Sequence, residues 1–196
     1  SELDIAVIHG YPMYAKNWAK HPLDASFVPF LCALTTSLCG GKPCLAEEFG
    51  GCFMPPGASS EYLEFPSYGA TRRQFMVSEE DFAAYLNRVL YGLLEVGSSG
   101  AMLWCFADYH ESLWDKPPCK ESYHERYFGI VRPDGSLKPH AAVVKSFAER
   151  GHVIRAPVKR VEPQDAEKYY SDPLGNSSRL YELFGRTQAD ELRKLV

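Results

Sequence analysis

Two adjacent carboxylates, Glu47 and Glu48, lie in Lys42-Pro-Cys-Leu-Ala-Glu-Glu-Phe-Gly-Gly51, where a short apolar run meets a Phe-Gly-Gly turn. Strand alternation groups Cys44, Ala46 and Glu48 on one face and Leu45 and Glu47 on the other. A carboxylate at the carboxyl end of a buried parallel strand is where α/β barrels keep their chemistry. Glu48 is the candidate for such a position. The competing reading is a solvated Glu-Glu pair that merely ends a strand, and the flanking segments weigh against it.

Two further segments end in groups able to serve such a carboxylate. Leu3-Asp-Ile-Ala-Val-Ile-His-Gly-Tyr11 is rich in β-branched residues and carries His9 and Tyr11 at its end, just before Pro12. Alternation puts Leu3, Ile5, Val7, His9 and Tyr11 on one face. Tyr11 can donate a hydrogen bond to the Glu48 carboxylate, and His9 can bind a hydroxyl. Ala101-Met-Leu-Trp-Cys-Phe106 places Met102, Trp104 and Phe106 on one face, and an indole offers a flat apolar surface with one N–H donor. Trp18, Trp114, Tyr14, Tyr109 and His110 fall in the segments after the strands, where they can extend a groove.

The elements that must position these residues follow from periodicity and punctuation. A helix is expected from Asp24, acting as N-cap, through Phe27, Phe30, Leu31, Leu34 and Leu38, ended by Gly40 and Gly41. Cys52 to Val77, with its Pro, Gly and aromatic residues, reads as a loop. Ser78 caps a second helix with three acids in its first turn and apolar residues from Phe82 to Leu94 at helical spacing. Pro133-Asp-Gly135 marks a turn, and Pro139 opens a third helix that ends at Gly151. Beyond it, prolines interrupt the pattern before a short amphipathic helix from Ser178 to Leu195.

Strand and helix therefore alternate three times, which implies parallel strands joined by crossovers. Segments after the strands are long and those before them short, so the working face lies at the strands' carboxyl ends.

The chain has 196 residues, 45% hydrophobic and 23% charged, which suits one domain with a real core. A net charge of −4 and a pI near 5.9 argue against nucleic acid as a partner. No apolar run approaches the ~20 residues that cross a bilayer. A signal peptide is either absent or already removed. The six cysteines form no C-x2-C pair, so no structural zinc is expected. Cys44 and Cys105 read as buried hydrophobes within strands, while Cys52 and Cys119 could pair in an oxidising compartment. The scattered acids Asp108, Glu111, Asp115, Glu121 and Glu125 lack metal-loop spacing, and neither metal nor cofactor is assigned.

His9-Gly-Tyr11, Glu48-Phe-Gly50, Trp104 and Phe128-Gly-Ile-Val-Arg-Pro-Asp-Gly-Ser-Leu-Lys-Pro139 together resemble, in order and spacing, the last three β/α units of a clan-A glycoside hydrolase. They are most similar to family 5 cellulases and mannanases. The resemblance covers about residues 3–151. It implies an α/β fold, a partial TIM (β/α)8 barrel of strands six to eight with their helices. Residues 152–196 would form a C-terminal extension, a swapped or docking helix.

The same resemblance makes Glu48 the nucleophile, with Tyr11 as its hydrogen-bond donor. His9, Trp104, Trp18, Trp114 and Tyr109 become sugar-binding residues, and the parent enzyme is expected to be secreted. The family's acid/base follows an Asn on the fourth strand; no Asn-Glu dipeptide occurs here, and strands one to five have no counterpart. The implied function is retaining hydrolysis of a β-linked glucan or mannan, or the nucleophile-bearing fragment of such an enzyme. The alternative is a non-catalytic carbohydrate-binding or assembly module. A cysteine enzyme using Cys44 or Cys105 with His9 has no supporting motif. Three strands would leave Ile5, Val7, Ala46, Met102 and Trp104 uncovered. A homo-oligomer or a complementary half-barrel is therefore expected, with the 178–195 helix crossing to a partner.

Overall fold

A computed structural model describes residues 3–15, 18–153, 156–162 and 164–194, with side chains described through residue 185. The element order is β1 (Ala6–His9), α1 (Phe27–Leu38), β2 (Cys44–Gly50), β3 (Glu61–Ser67), β4 (Ala70–Met76), α2 (Glu79–Glu95), β5 (Gly100–Trp104), α3 (Pro139–Glu149), α4 (Ala166–Ser171) and α5 (Pro173–Lys194). β1, β2 and β5 form one parallel sheet with β2 at its centre. This is the expected α/β alternation, with shorter strands: β1 begins at Ala6 instead of Leu3, and β5 ends at Trp104, before Cys105.

The helices lie on one side of this sheet. Val28, Phe30 and Leu34 of α1, Phe82, Tyr85, Leu86 and Val89 of α2, and Ile8, Cys44, Ala46 and Phe49 of the strands form one buried cluster. Full burial of each large apolar side chain contributes roughly 1.5–3 kcal/mol. Small Cys44 and Ala46 let α1 approach β2 closely. The opposite face of the sheet is open: Ile5 is 44%, Val7 46%, Met102 55% and Trp104 42% exposed. Ala46 does not belong to that face, as alternation had suggested. It is 0% exposed, against the helices.

Ser78 caps α2 as expected, its side chain accepting from the Asp81 amide. Asp24 serves a different purpose from the one expected. α1 starts at Phe27 after Ser26, while the Asp24 carboxylate accepts from the amides of Lys20 and Ser26 and from the Tyr181 hydroxyl at 2.6 Å. That last bond anchors α5 on its own chain. The Tyr181 ring lies 4.7 Å from that of Phe30, and Leu180 and Phe184 bury beside it. The C-terminal helix thus packs on α1 of its own chain; Leu195 lies outside the described residues.

The segment read as a loop before α2 contains a hairpin. β3 and β4 pair antiparallel through Ser67↔Ala70, and Tyr68 and Gly69, both at positive φ, make the two-residue turn. Pro66 and the aromatic residues hid the alternation. All six cysteines are free thiols. No helix among the described residues is long and apolar enough to cross a membrane.

His140 lies in the first turn of α3 and is buried, stacked on Phe53 at 5.0 Å and edge-on to Phe82 at 5.1 Å. Burial, and then the nearby Lys138 and Arg132 charges, lower its pKa to about 3. The folded state therefore keeps His140 neutral where the unfolded chain, near pKa 6.5, takes up a proton. Stability should be nearly unaffected above pH 7.5 and fall as pH drops toward 3, by about 2 kcal/mol between pH 7.5 and 5. Urea midpoints at pH 7.5 and 5 check this, and His140→Leu should flatten that part of the profile. An equal acid loss in the variant would assign the effect to other groups.

Candidate active site

β2 carries one more residue than its neighbours at the site. β1 pairs Ile8 with Ala46 and then His9 with Glu48, and β5 pairs Ala101 with Ala46 and then Leu103 with Phe49. The extra residue is a bulge over Glu47 and Glu48, which breaks the alternation. Cys44 and Ala46 face the helices, Phe49 returns to them at 0% exposure, and both glutamates reach His9. Glu47 is therefore not directed to the helix layer.

Tyr11 follows β1 and donates its hydroxyl to Glu48 Oε1 at 2.8 Å. His9 Nε2 lies 3.2 Å from Glu47 Oε2, and its Nδ1 lies 3.7 Å from Glu48 Oε2. A neutral imidazole donates from one nitrogen only, so the ring can give a hydrogen to one glutamate at a time unless it is protonated. Burial first, and then the bond to Glu48, push the Tyr11 hydroxyl above the ordinary phenol range. It stays protonated, a fixed donor that orients the carboxylate.

Trp104 stands on the adjacent strand, in register with Gly50. A Cβ at Gly50 would lie 2.2 Å from the Trp104 carbonyl oxygen. Only glycine permits this approach, and it holds the indole beside the Glu48 strand on the open face. Trp18 lies with His9, Tyr11 and Tyr14 around an open hollow of about 410 Å³.

Trp114 and Tyr109 are held differently. The Trp114 Nε1 donates to the Tyr109 carbonyl at 3.0 Å, and the indole is covered by Arg126 and edged by Tyr127. Among the described residues no hydrogen bond, ion pair or ring contact joins either to Glu48, Tyr11 or Trp104. They brace the loop after β5.

Tyr14, expected to extend the groove, does reach the site, and it brings neighbours that sequence reasoning missed. Tyr14 packs 5.5 Å from Tyr11 and shares a hydrogen bond of 3.0 Å with Cys52 Sγ. Arg72 of β4 lies over the Tyr14 ring at 5.8 Å, and His124 meets its edge at 6.3 Å. Of the loop acids, Asp108 is spent on a buried pair with Lys138 at 2.7 Å. Glu125 pairs with His124 at 3.4 Å, and its charge reaches Tyr11, Tyr14 and Cys52. A hairpin in a presumed loop gave no signal that would bring Arg72 here.

Burial pushes the Cys52 thiol up to about 12 and raises Cys105, while the bond from Cys32 followed by burial raises Cys44. None is a thiolate near neutrality, which removes the cysteine-nucleophile reading. Among the described residues no group of three or more His, Cys, Asp or Glu could hold a metal ion.

No protein-family model matches the chain, and no curated protein matches it. Solved structures do. A GH5_18 protein from Streptomyces cattleya, determined in complex with GlcNAc, aligns over 97% of this chain and 42% of its own at 18% identity and a TM-score of 0.60. A GH5_18 protein from Bifidobacterium longum aligns over 80% of this chain and 33% of its own at 17% identity and a TM-score of 0.55. An exo-β-1,4-mannosidase from Opitutaceae bacterium strain TAV5 aligns over 76% of this chain and 23% of its own at 22% identity and a TM-score of 0.52. These neighbours are TIM-barrel glycoside hydrolases. At such identities the likeness is one of fold, and this chain spans less than half of each neighbour's length.

Gly50→Ala should force β2 and β5 apart at Trp104, costing about 1–3 kcal/mol or more. Denaturant melts and tryptophan fluorescence check it together: a lowered midpoint with a shifted emission maximum is expected. An unchanged spectrum would mean that Gly50 does not place the indole.

Proposed function

We propose that this chain carries the nucleophile side of a retaining glycoside hydrolase site acting on a β-linked saccharide. The observation that carries the reading is the Tyr11 hydroxyl donating to Glu48 Oε1 at 2.8 Å, at the carboxyl ends of parallel strands and beside the half-exposed indole of Trp104. The barrel likeness to glycoside hydrolases supports it. So do two of the neighbouring structures, which are complexes with GlcNAc and with Manβ1-4GlcNAc.

In this reading Glu48 attacks the anomeric carbon and forms a glycosyl ester as the leaving oxygen departs. Tyr11 keeps the attacking oxygen aimed, and Trp104 supports the C–H face of the sugar ring. Retention needs a second carboxyl about 5–5.5 Å from the first to protonate the leaving oxygen and later activate water. That group is proposed to lie on the strands that cover the open face. They would come from a complementary half-barrel, in the same polypeptide or in another chain. A glucan or a mannan is the expected substrate class. The alternative, a carbohydrate-binding or assembly module without turnover, draws on the missing Asn-Glu dipeptide.

An aryl β-glycoside with a good leaving group needs little acid assistance, so its turnover separates these readings. Glu48→Gln should abolish it, because the amide cannot form the ester. Tyr11→Phe should lower kcat/KM by about 10–100-fold, the equivalent of losing one hydrogen bond to a charged group. Glu47→Gln, at the exposed end of the His9 contact, should stay within about tenfold. Full activity in Glu48→Gln would sink the assignment.

Light scattering at low micromolar concentration checks the open sheet face. A dimer, a higher oligomer or a complex with the complementary half is expected. A stable monomer with an unoccupied face would mean that the exposed Val7, Met102 and Trp104 need no cover.

A further inference from the structure

A second cavity, of about 300 Å³, opens between the segment after β1 and the β3–β4 hairpin. Pro12, Met13, Lys20, His21, Tyr62 and Arg73 form most of its lining. Pro12 and Met13 follow directly on Tyr11, so its wall continues that of the Glu48 site. Met13 is buried at 5% exposure against Cys52, Met54 and Met76, which makes this wall part of the packed structure.

Three of the lining side chains, Lys20, His21 and Arg73, carry nitrogen donors, and no carboxylate lines the cavity. The His21 Nδ1 accepts from the Leu23 amide at 3.2 Å. With Nδ1 accepting, Nε2 carries the hydrogen and can only donate. The Arg73 guanidinium stacks on Tyr62 at 4.1 Å and has only a loose partner, the exposed Glu64 at 4.0 Å. The Lys20 ammonium lies 5.7 Å from the Tyr181 ring, and among the described residues no carboxylate forms an ion pair with it. In a chain of net charge −4, such a set is not what overall composition would place in a cavity.

We infer that this cavity is a subsite for a sugar unit bearing an anionic group, a carboxylate or a sulfate ester, on the saccharide that reaches Glu48. The inference rests on the proposed function for the identity of the chain being bound. Its volume sits at the lower end of ligand pockets, about 300–1,000 Å³, which fits one sugar unit. The planar guanidinium can hold a carboxylate or sulfate with two parallel hydrogen bonds, and stacking on Tyr62 pre-orders it for that task. Lys20, whose ammonium lies near Tyr181 and Gly185, adds positive charge to the lining, and His21 a directed donor.

The test is binding, which needs no turnover. The full chain is titrated with methyl β-glucuronide, glucose 6-sulfate, methyl β-glucoside and inorganic sulfate at low and at 0.5 M salt. At least one anionic sugar should bind about tenfold or more tightly than the neutral glucoside, with the difference shrinking in salt. The tighter of the two identifies carboxylate or sulfate ester. Arg73→Met and Lys20→Met should each remove most of that preference while leaving glucoside binding and the melting temperature unchanged; Arg73→Lys should keep part of it.

Equal affinity for charged and neutral sugars would overturn the inference. So would an intact preference in Arg73→Met, or inorganic sulfate binding as tightly as either anionic sugar. Glu48→Gln should leave the preference intact. The preference persisting without any turnover would count against the hydrolase alone; turnover without the preference would count against the subsite alone.

Discussion

The bulge in β2 is the feature on which the site depends. A strand packed on helices must send alternate residues into the core, and Cys44 and Ala46 commit this one to that phase. Continued without interruption, the phase would bury Glu48 among the helices and expose Phe49. A carboxylate there would lose several kcal/mol of hydration without a partner. The extra residue, visible where Ala46 and Phe49 face Ala101 and Leu103, resets the phase. Phe49 enters the core, and Glu48 turns to the open face, where Tyr11 meets it.

That same reset explains what was legible in the sequence and what was not. Reading with a period of two put Glu48 on the right face but gave it the wrong companions, because it ran straight through the bulge. Nothing in Cys-Leu-Ala-Glu-Glu-Phe-Gly announces an extra residue except the paired glutamates themselves. By contrast α2 was plain, since Ser78, three first-turn acids and a regular apolar stripe all agree. Local signals of this kind survive folding. Long-range ones do not: the Tyr181–Asp24 bond joins residues 157 positions apart, and Asp24 looked like a helix cap because half of its role is local.

The hairpin shows the cost of reading composition as structure. Pro66, Tyr68 and Gly69 suggested an irregular loop, yet Pro66 sits in a two-stranded ribbon with no central strand to disrupt. Its consequence reaches the site twice. Arg72 covers Tyr14, whose ring neighbours Tyr11, and Arg73 with Tyr62 builds the wall of the second cavity. A segment without an assigned role in the sequence thus supplies most of what distinguishes this site from a bare strand end.

Charge is distributed along the face in a consistent direction. At the strand ends two carboxylates share one imidazole, and the Glu125 charge acts on the same group of tyrosines. Such an arrangement favours positive character where a substrate reacts, as at an anomeric carbon losing its leaving group. Past Pro12 and Met13 the sign reverses, with Lys20, His21 and Arg73 around a cavity that has no acid in its lining. A saccharide lying across both would meet donors at one end and acceptors at the other. On the proposed reading, that polarity would set which way round a chain with one anionic unit lies and present the neighbouring glycosidic bond to Glu48. Orientation by charge at a distance from the reacting atom is compatible with a reaction centre that is itself acidic, because the basic groups line one cavity and the glutamates stand at the strand ends, on different segments of the chain.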